Sequence, residues 1–187
     1  VPNSVAGTNT MAYVTHIKDD GTMYVYTGTI SGAAGSKVLT FENPNGFSTL
    51  KVTTGKPVAA IGKTTYTSLQ DAIDKAKSGE TVKLLDDVTL SGGDGNTKGV
   101  ITIANKDIIL DGNRFTLKAD GVVDKTSMIN VQDTPTGKTV TIKNLKIDSN
   151  GEAKHGININ GASVSVETVE IVDGTGYGIV CNSSTLS

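Results

Sequence analysis

The chain of 187 residues has no tryptophan, three phenylalanines, two histidines and one cysteine. With Cys181 alone, no internal disulfide can form and no cysteine metal site can be built. The fold must then be held by packing, and a chain of this length can bury one substantial core, or one core with a small satellite. Neither sign of charge dominates: 17 Lys and Arg face 19 Asp and Glu, a formal net charge of -2. That balance lacks the basic footprint of a nucleic-acid binder and gives no pull toward an anionic membrane. No run approaches the roughly 18 apolar residues of a spanning helix, so membrane insertion is not expected. A basic-then-apolar secretion signal is also missing before "VPNSVAG", which reads as the start of a mature or trimmed chain. The glycine-rich "SGGDGNTKG", Ser91 to Gly99, lacks phosphate-loop spacing and reads as a flexible connection. No cofactor is expected.

What the sequence does have is Gly, Thr, Ser, Asn, Val and Ile, a composition that tilts toward β structure. From Ile101 onward one small unit recurs: apolar, any residue, apolar, then a short polar turn. It reads Ile101 and Ile103, Ile108 and Leu110, Phe115 and Leu117, then Ile129 and Val131, Val140 and Ile142, Leu145 and Ile147. Ile157 and Ile159, Val164 and Val166, Val169 and Ile171 continue it, and Ile179 with Cys181 begins another copy. Val82 with Leu84 and Val88 with Leu90 make a partial first copy. Apolar residues at i and i+2 share one strand face. Ile101, Ile129, Ile157 and Ile179 stand 28, 28 and 22 residues apart, within the range of stacked repeats. Three strands per turn, stacked, would enclose one apolar column with Cys181, Ile142 and Ile157 inside it. An antiparallel sandwich is the alternative: it explains the alternation and the turns equally well, but not three strands per period with turn lengths preserved in sequence order. Gly112 and Asn144 fall where each coil needs a residue tolerant of left-handed backbone geometry.

The segments "ITIANKDIILDGNRFTL", "KTVTIKNLKIDSN", "HGININGASVSVETVEI" and "GYGIV" resemble right-handed parallel β-helices of the pectin-lyase-like group. "AIGKTTYTSLQDAIDKAKSGETVKLLDDVTL" is similar to the N-terminal cap of secreted bacterial members. The resemblance spans Val58 to Ser187 and implies a fold that hosts enzymes, adhesins and phage tailspikes alike. The expected class is therefore all-β: a right-handed parallel β-helix with three short strands per coil, an N-terminal amphipathic cap helix, and a small antiparallel β segment before it. The cap helix also follows from its residues. Thr67 with Gln70, or Ser68, supplies the N-cap. Leu69, Ala72, Ile73 and Ala76 form one stripe, and Gly79 ends the helix. Upstream, "AYVTHI" and "MYVYTGTI" flank Lys18 to Thr22 as a hairpin. "KVLTFENPNGFSTLKVT" reads as two more strands around Asn43 to Gly46. The expected organisation is 1–57 as a small antiparallel module or strand extension, 58–80 as cap strand and helix, and 81–187 as the coil stack.

Chemistry is thinly supplied. Lyase-like catalysis of the kind the resemblance implies needs clustered acidic calcium ligands beside a basic residue. Asp111 is the acid nearest Arg114, and both fit the turn of "DIILDGNRFTLKAD", as does Asp120 at its end. Asp148 and Asp173 follow the third strands of successive coils and can approach one another, but they are also ordinary turn residues. Hydrolases of the polygalacturonase kind carry Asn-Thr-Asp, paired aspartates and Gly-His-Gly. Here Asp86-Asp87 is a pair beside the cap, His155-Gly156 follows Lys154, and Asn-Thr-Asp is missing. His155 is expected to be solvated at a turn, and His16 to lie on the exposed face of its strand. Asn182-Ser183-Ser184 matches a glycosylation sequon, a match common by chance. The outward positions Thr102, Asn130, Asn158 and Val180 are too irregular for an ice-binding threonine lattice.

No catalytic or metal residues are assigned. The leading expectation is a non-catalytic, adhesin-like scaffold of a secreted or cell-surface bacterial protein, with glycan or a host surface protein as candidate partner. The alternative is the N-terminal part of a polysaccharide lyase or glycoside hydrolase. Gln132 to Thr139 and Leu117 to Ser127 are the longest insertions, and Arg114 is the surface candidate for ligand contact. "YGIVCNSSTLS" stops within a coil, so further coils or a partner are expected at that edge.

Overall fold

The computed structural model describes residues 3–92, 99–122 and 127–187. A one-turn helix α1 (Asn3–Ala6) leads into β1 (Met11–Ile17), β2 (Met23–Ser31), β3 (Val38–Thr40) and β4 (Thr49–Thr53). A hairpin of β5 (Ala59–Ile61) and β6 (Thr64–Tyr66) precedes helix α2 (Leu69–Lys75). The remaining strands follow in order: β7 (Thr81–Leu84), β8 (Val88–Gly92), β9 (Ile101–Ala104), β10 (Ile109–Asp111), β11 (Thr116–Val122) and β12 (Ser127–Gln132). After these come β13 (Val140–Asp148), β14 (His155–Asn160), β15 (Ser163–Val172), β16 (Ile179–Asn182) and β17 (Thr185–Leu186).

The first four strands make an antiparallel sheet in the order β3-β2-β1-β4. The hairpin closes where Lys18 N donates to Thr22 O (2.8 Å), with Gly21 at φ 84 supplying the left-handed step. β3 and β4 flank the Asn43 to Gly46 turn in sequence, yet they lie on opposite edges of the sheet, beside β2 and β1 respectively. A satellite core of Ala6, Ala12 and Ile30 lies here, with Leu39 and Val52 against it.

From β7 onward the strands pair with one another in parallel. One row aligns Ile101, Ile129, Ile157 and Ile179, and beside it Ile103, Val131, Ile159 and Cys181. A second aligns Val82, Leu110, Ile142 and Val166, and a third Val88, Leu117, Ile147 and Ile171. Ile142 and Ile157 are fully buried, in one continuous core cluster with Leu69, Ala72, Ile73 and Ala76 of the α2 stripe. Ser68, not Thr67, caps α2: its hydroxyl accepts from Asp71 N (3.2 Å). Gly79, at φ 77, donates its N–H to Asp107 O (2.6 Å).

These pairings correct the expected class. The strands form a four-stranded antiparallel sheet, a nine-stranded mixed sheet and a four-stranded parallel sheet, not a parallel β-helix of three short strands per coil with a cap helix. Two physical causes are visible. β13 and β15 run unbroken through the turns at Asn144 and Thr168, so what read as second and third strands of a coil belong to one sheet. That same sheet is mixed because β5 pairs antiparallel with both β6 and β7. Among the described residues the chain is mostly β, in three sheets of different kinds.

Candidate functional site

A groove lies where the antiparallel sheet meets the mixed sheet. It has a volume of about 560 Å³, within the range of ligand sites at about 300–1,000 Å³. One side is β2, from Met23 to Tyr26. The other presents Ala60, Lys83, Asp86, Asn113 and Phe115. Lys83 reaches it because, on the four-residue β7, Val82 and Leu84 enter the core and the alternate residue must face out. Asn113 reaches it from the turn after β10, at φ 52, where its N–H is held by Asp111 Oδ1 (2.9 Å) and its Nδ2 donates to Leu84 O (3.2 Å). Asp86 is paired with Lys56 (2.8 Å).

Aromatic side chains line up across β1, β2 and the segment after β3. His16 stands 6.2 Å from Tyr24, Tyr24 stacks on Tyr26 at 6.4 Å, and Tyr26 on Phe41 at 6.2 Å. Cross-strand register puts His16 opposite Tyr24, and the i, i+2 spacing puts both tyrosines on one face. Lys18 Nζ lies 5.3 Å from the Tyr24 ring centroid. Asn45 Nδ2 fixes the Tyr26 hydroxyl (2.7 Å). The same loop is braced by the bond of Asn43 Nδ2 to Gly46 O and by Ser48, and it holds Phe47 at 87% exposure.

His16 was expected on an exposed face and is 1% exposed. β1 is the inner strand of its sheet, and Val14, Thr15, His16 and Ile17 are all buried, so no solvated face exists for alternation to mark. Ser48 Oγ lies 2.6 Å from His16 Nε2 and also donates to Ile17 O (2.8 Å). One hydroxyl proton cannot serve both acceptors, so the tautomer that completes both bonds carries its proton on Nε2. A serine spent on Ile17 O is not activated by that imidazole, and the pair works as a brace for the loop. His16 Nδ1 then stays without a partner among the described residues.

The other sequence candidates separate. Arg114 is exposed at φ 71 and lines a shallow depression with Asn144, Lys146 and Glu170, on another surface from the groove. Asp111, its nearest acid, is spent on Asn113 N and Asn144 Nδ2, and Asp120 is exposed on β11. Asp87 Oδ1 accepts from Thr116 N (2.8 Å) in the next layer, so the Asp86-Asp87 pair serves structure. Asp148 Oδ1 caps Asn150 N (2.9 Å), and no cluster of three or more metal-ligating side chains exists among the described residues.

His155 is not at a solvated turn. It opens β14, is partly buried, accepts from Tyr177 N at Nδ1 (3.0 Å) and stacks on the Tyr177 ring at 5.8 Å. Burial, and then the Lys154 ammonium, hold it below the ordinary histidine value. Cys181, expected in the core, is exposed: it is in register with Ile159, but β16 is the outer strand of its sheet. The outward Asn130 and Asn158 are buried, joined by Asn158 Nδ2 to Asn130 Oδ1 (3.1 Å).

The two expected insertions are also different in kind. β11 continues to Val122 beside β8, so the first part of Leu117 to Ser127 is strand, and 123–126 lie outside the described residues. The 133–139 loop is tied down by Thr134 Oγ1, which accepts from Ser163 N (2.7 Å), and by Lys138 with Asp107 (3.3 Å). Of "SGGDGNTKG", 93–98 lie outside the described residues. Sequence reasoning missed the groove itself; the available signal was that five of the eight aromatics precede Lys51. No protein-family model, no curated protein and no solved structure matches this chain, so the pectin-lyase-like resemblance rests on the quoted segments alone.

Proposed function

We propose that this chain is a non-catalytic, adhesin-like scaffold of a secreted or cell-surface bacterial protein, which takes a glycan or a host surface protein. The observation that carries the binding role is the groove between β2 and the mixed sheet, with Tyr24, Tyr26 and Phe115 beside Lys83 and Asn113. Aromatic surface with a few placed polar groups is the usual make-up of a recognition site. The scaffold role is supported by the continuous apolar core under the stacked strands. A core shared by every layer resists local opening and holds surface residues in fixed relation. The extracellular bacterial setting is carried over from the segment resemblance.

The test screens the folded chain against glycan arrays and a panel of host matrix proteins, beside Tyr24→Ala and Lys83→Ala variants. Capture of one class, weakened at least about tenfold by Tyr24→Ala at unchanged melting temperature, is the expected result. Capture of neither class, or capture indifferent to both substitutions, would remove the binding role.

A further inference from the structure

The groove is bounded on one side by a strand edge whose backbone is open, and the register shows which groups are open. Thr22 O accepts from Lys18 N, and Ile30 N donates to Thr10 O. Even-numbered residues of β2 therefore direct their backbone groups at β1, and odd-numbered ones at the opposite edge. β3 occupies that edge only at Thr29 to Ser31. The N–H and C=O groups of Met23, Val25 and Thr27 face an edge on which no strand pairs among the described residues. The row is five residues long, about 17 Å at about 3.4 Å per residue.

Charge adds a second constraint. Of the charged residues lining the groove, Asp86 is paired with Lys56. Among the described residues Lys83 has no ion pair, and Asp111, its neighbour across the sheet, directs Oδ1 at Asn113 N and Asn144 Nδ2. The groove thus offers alternating backbone donors and acceptors beside one exposed ammonium, that of Lys83, which is in no ion pair among the described residues. A glycan hydroxyl can use one such group, but only another extended backbone matches the whole row. We propose that the groove binds an extended, acidic polypeptide segment of another protein, added as a strand along Met23 to Thr27 with a carboxylate side chain at Lys83. This rests on the groove being the recognition site and names the class of its ligand.

The test uses a positional-scanning library of acetylated, amidated heptapeptides, read by fluorescence polarisation against the intact chain. Peptides with Asp or Glu at one position should be selected, and Gln there should weaken binding about fivefold, the loss of one partly exposed charge pair. N-methylation of alternate peptide residues in one parity should cost at least about tenfold, and in the other parity less than about twofold, because one row alone bonds to β2. Lys83→Glu, an exposed substitution, should shift selection to Lys at the acidic position. Equal loss in both parities, selection unchanged by Lys83→Glu, or no binder anywhere in the library overturns strand addition. Glycan or matrix-protein capture lost in Tyr24→Ala, with no peptide bound, overturns strand addition and leaves groove binding standing. Failure of all three screens overturns both. Self-association abolished by Lys83→Glu, with no peptide bound, gives the edge to a second copy and overturns the proposal.

Discussion

Thr168 sits at φ 54, a left-handed geometry in which a β-branched residue is an outlier. The residues on either side of it pair with those on either side of Asn144, which stands at φ 51 in the preceding layer. Asparagine tolerates this region far better than threonine. The Thr168 side chain is exposed, so its replacement removes nothing from the core. Left-handed geometry costs an ordinary residue about 1–2 kcal/mol, and Thr168→Asn should recover about 1 kcal/mol of it. In a chain of this size that is a rise of about 2–4 °C in Tm. Thr168→Gly should gain less, because glycine adds about 0.5–1 kcal/mol of unfolded-chain entropy. Asn144→Thr takes on the strain and loses the Nδ2 bond to Asp111 Oδ1 (3.2 Å) as well, a cost of about 2–3 kcal/mol. Urea unfolding followed by circular dichroism, with m-values compared to exclude changes in the denatured state, measures all three. A Thr168→Asn protein less stable than the parent would refute the account of how these layers turn.

Two further outcomes follow from close contacts. A Cβ at Gly112 would stand 2.6 Å from Asn144 O and 2.7 Å from Leu145 Cα, backbone atoms that cannot rotate away. Gly112→Ala should therefore cost about 3 kcal/mol, the upper range for overpacking, and Gly137→Ala, at φ 73 in open space, about 1–2 kcal/mol; calorimetry showing the reverse order would sink the reasoning. Stability should also fall as pH drops below the ordinary histidine value of 6.5, because burial and Lys154 hold folded His155 lower and the unfolded chain takes the proton first. Above that value both states are neutral and the contribution is constant. Protonated Nδ1 must also release Tyr177 N. Urea midpoints at pH 7.5 and pH 5, compared between the parent and His155→Gln, should show a smaller pH effect in the variant; equal effects would clear His155.

The groove owes its form to which surfaces are left open. Val82 and Leu84 enter the core and force Lys83 outward; the turn after β10 sets Asn113 beside it; β3 is too short to cover all of β2. Each is a modest local fact. A recognition surface with backbone, aromatic and cationic groups results only because the antiparallel sheet is set against the start of the stack.

The alternation of Ile, Val and Leu made the strands legible, and the spacing of Ile101, Ile129 and Ile157 made their parallel stacking legible, because side-chain period and repeat length are written in the chain itself. The α2 stripe was legible for the same reason. Alternation does not say where a sheet bends or which edge a strand joins. Asn144 and Thr168 turn the chain without breaking the sheet, and β5 enters the mixed sheet antiparallel, so the expected three-strand coil gave way to three sheets of different kinds. Left-handed positions were only half legible: Asn144 adopts that geometry, whereas Gly112 is required because the next layer's backbone passes too close for a Cβ. Burial of polar residues was not legible at all. His16 and Asn130 look like solvent-facing positions in sequence, and only packing on both faces of their strands encloses them. The sequence by itself determined the strands, their inward faces and the stacking period, since these depend on neighbours a few residues away. The tertiary structure decided the sheet partition and the groove, since both depend on where distant segments run out of partners.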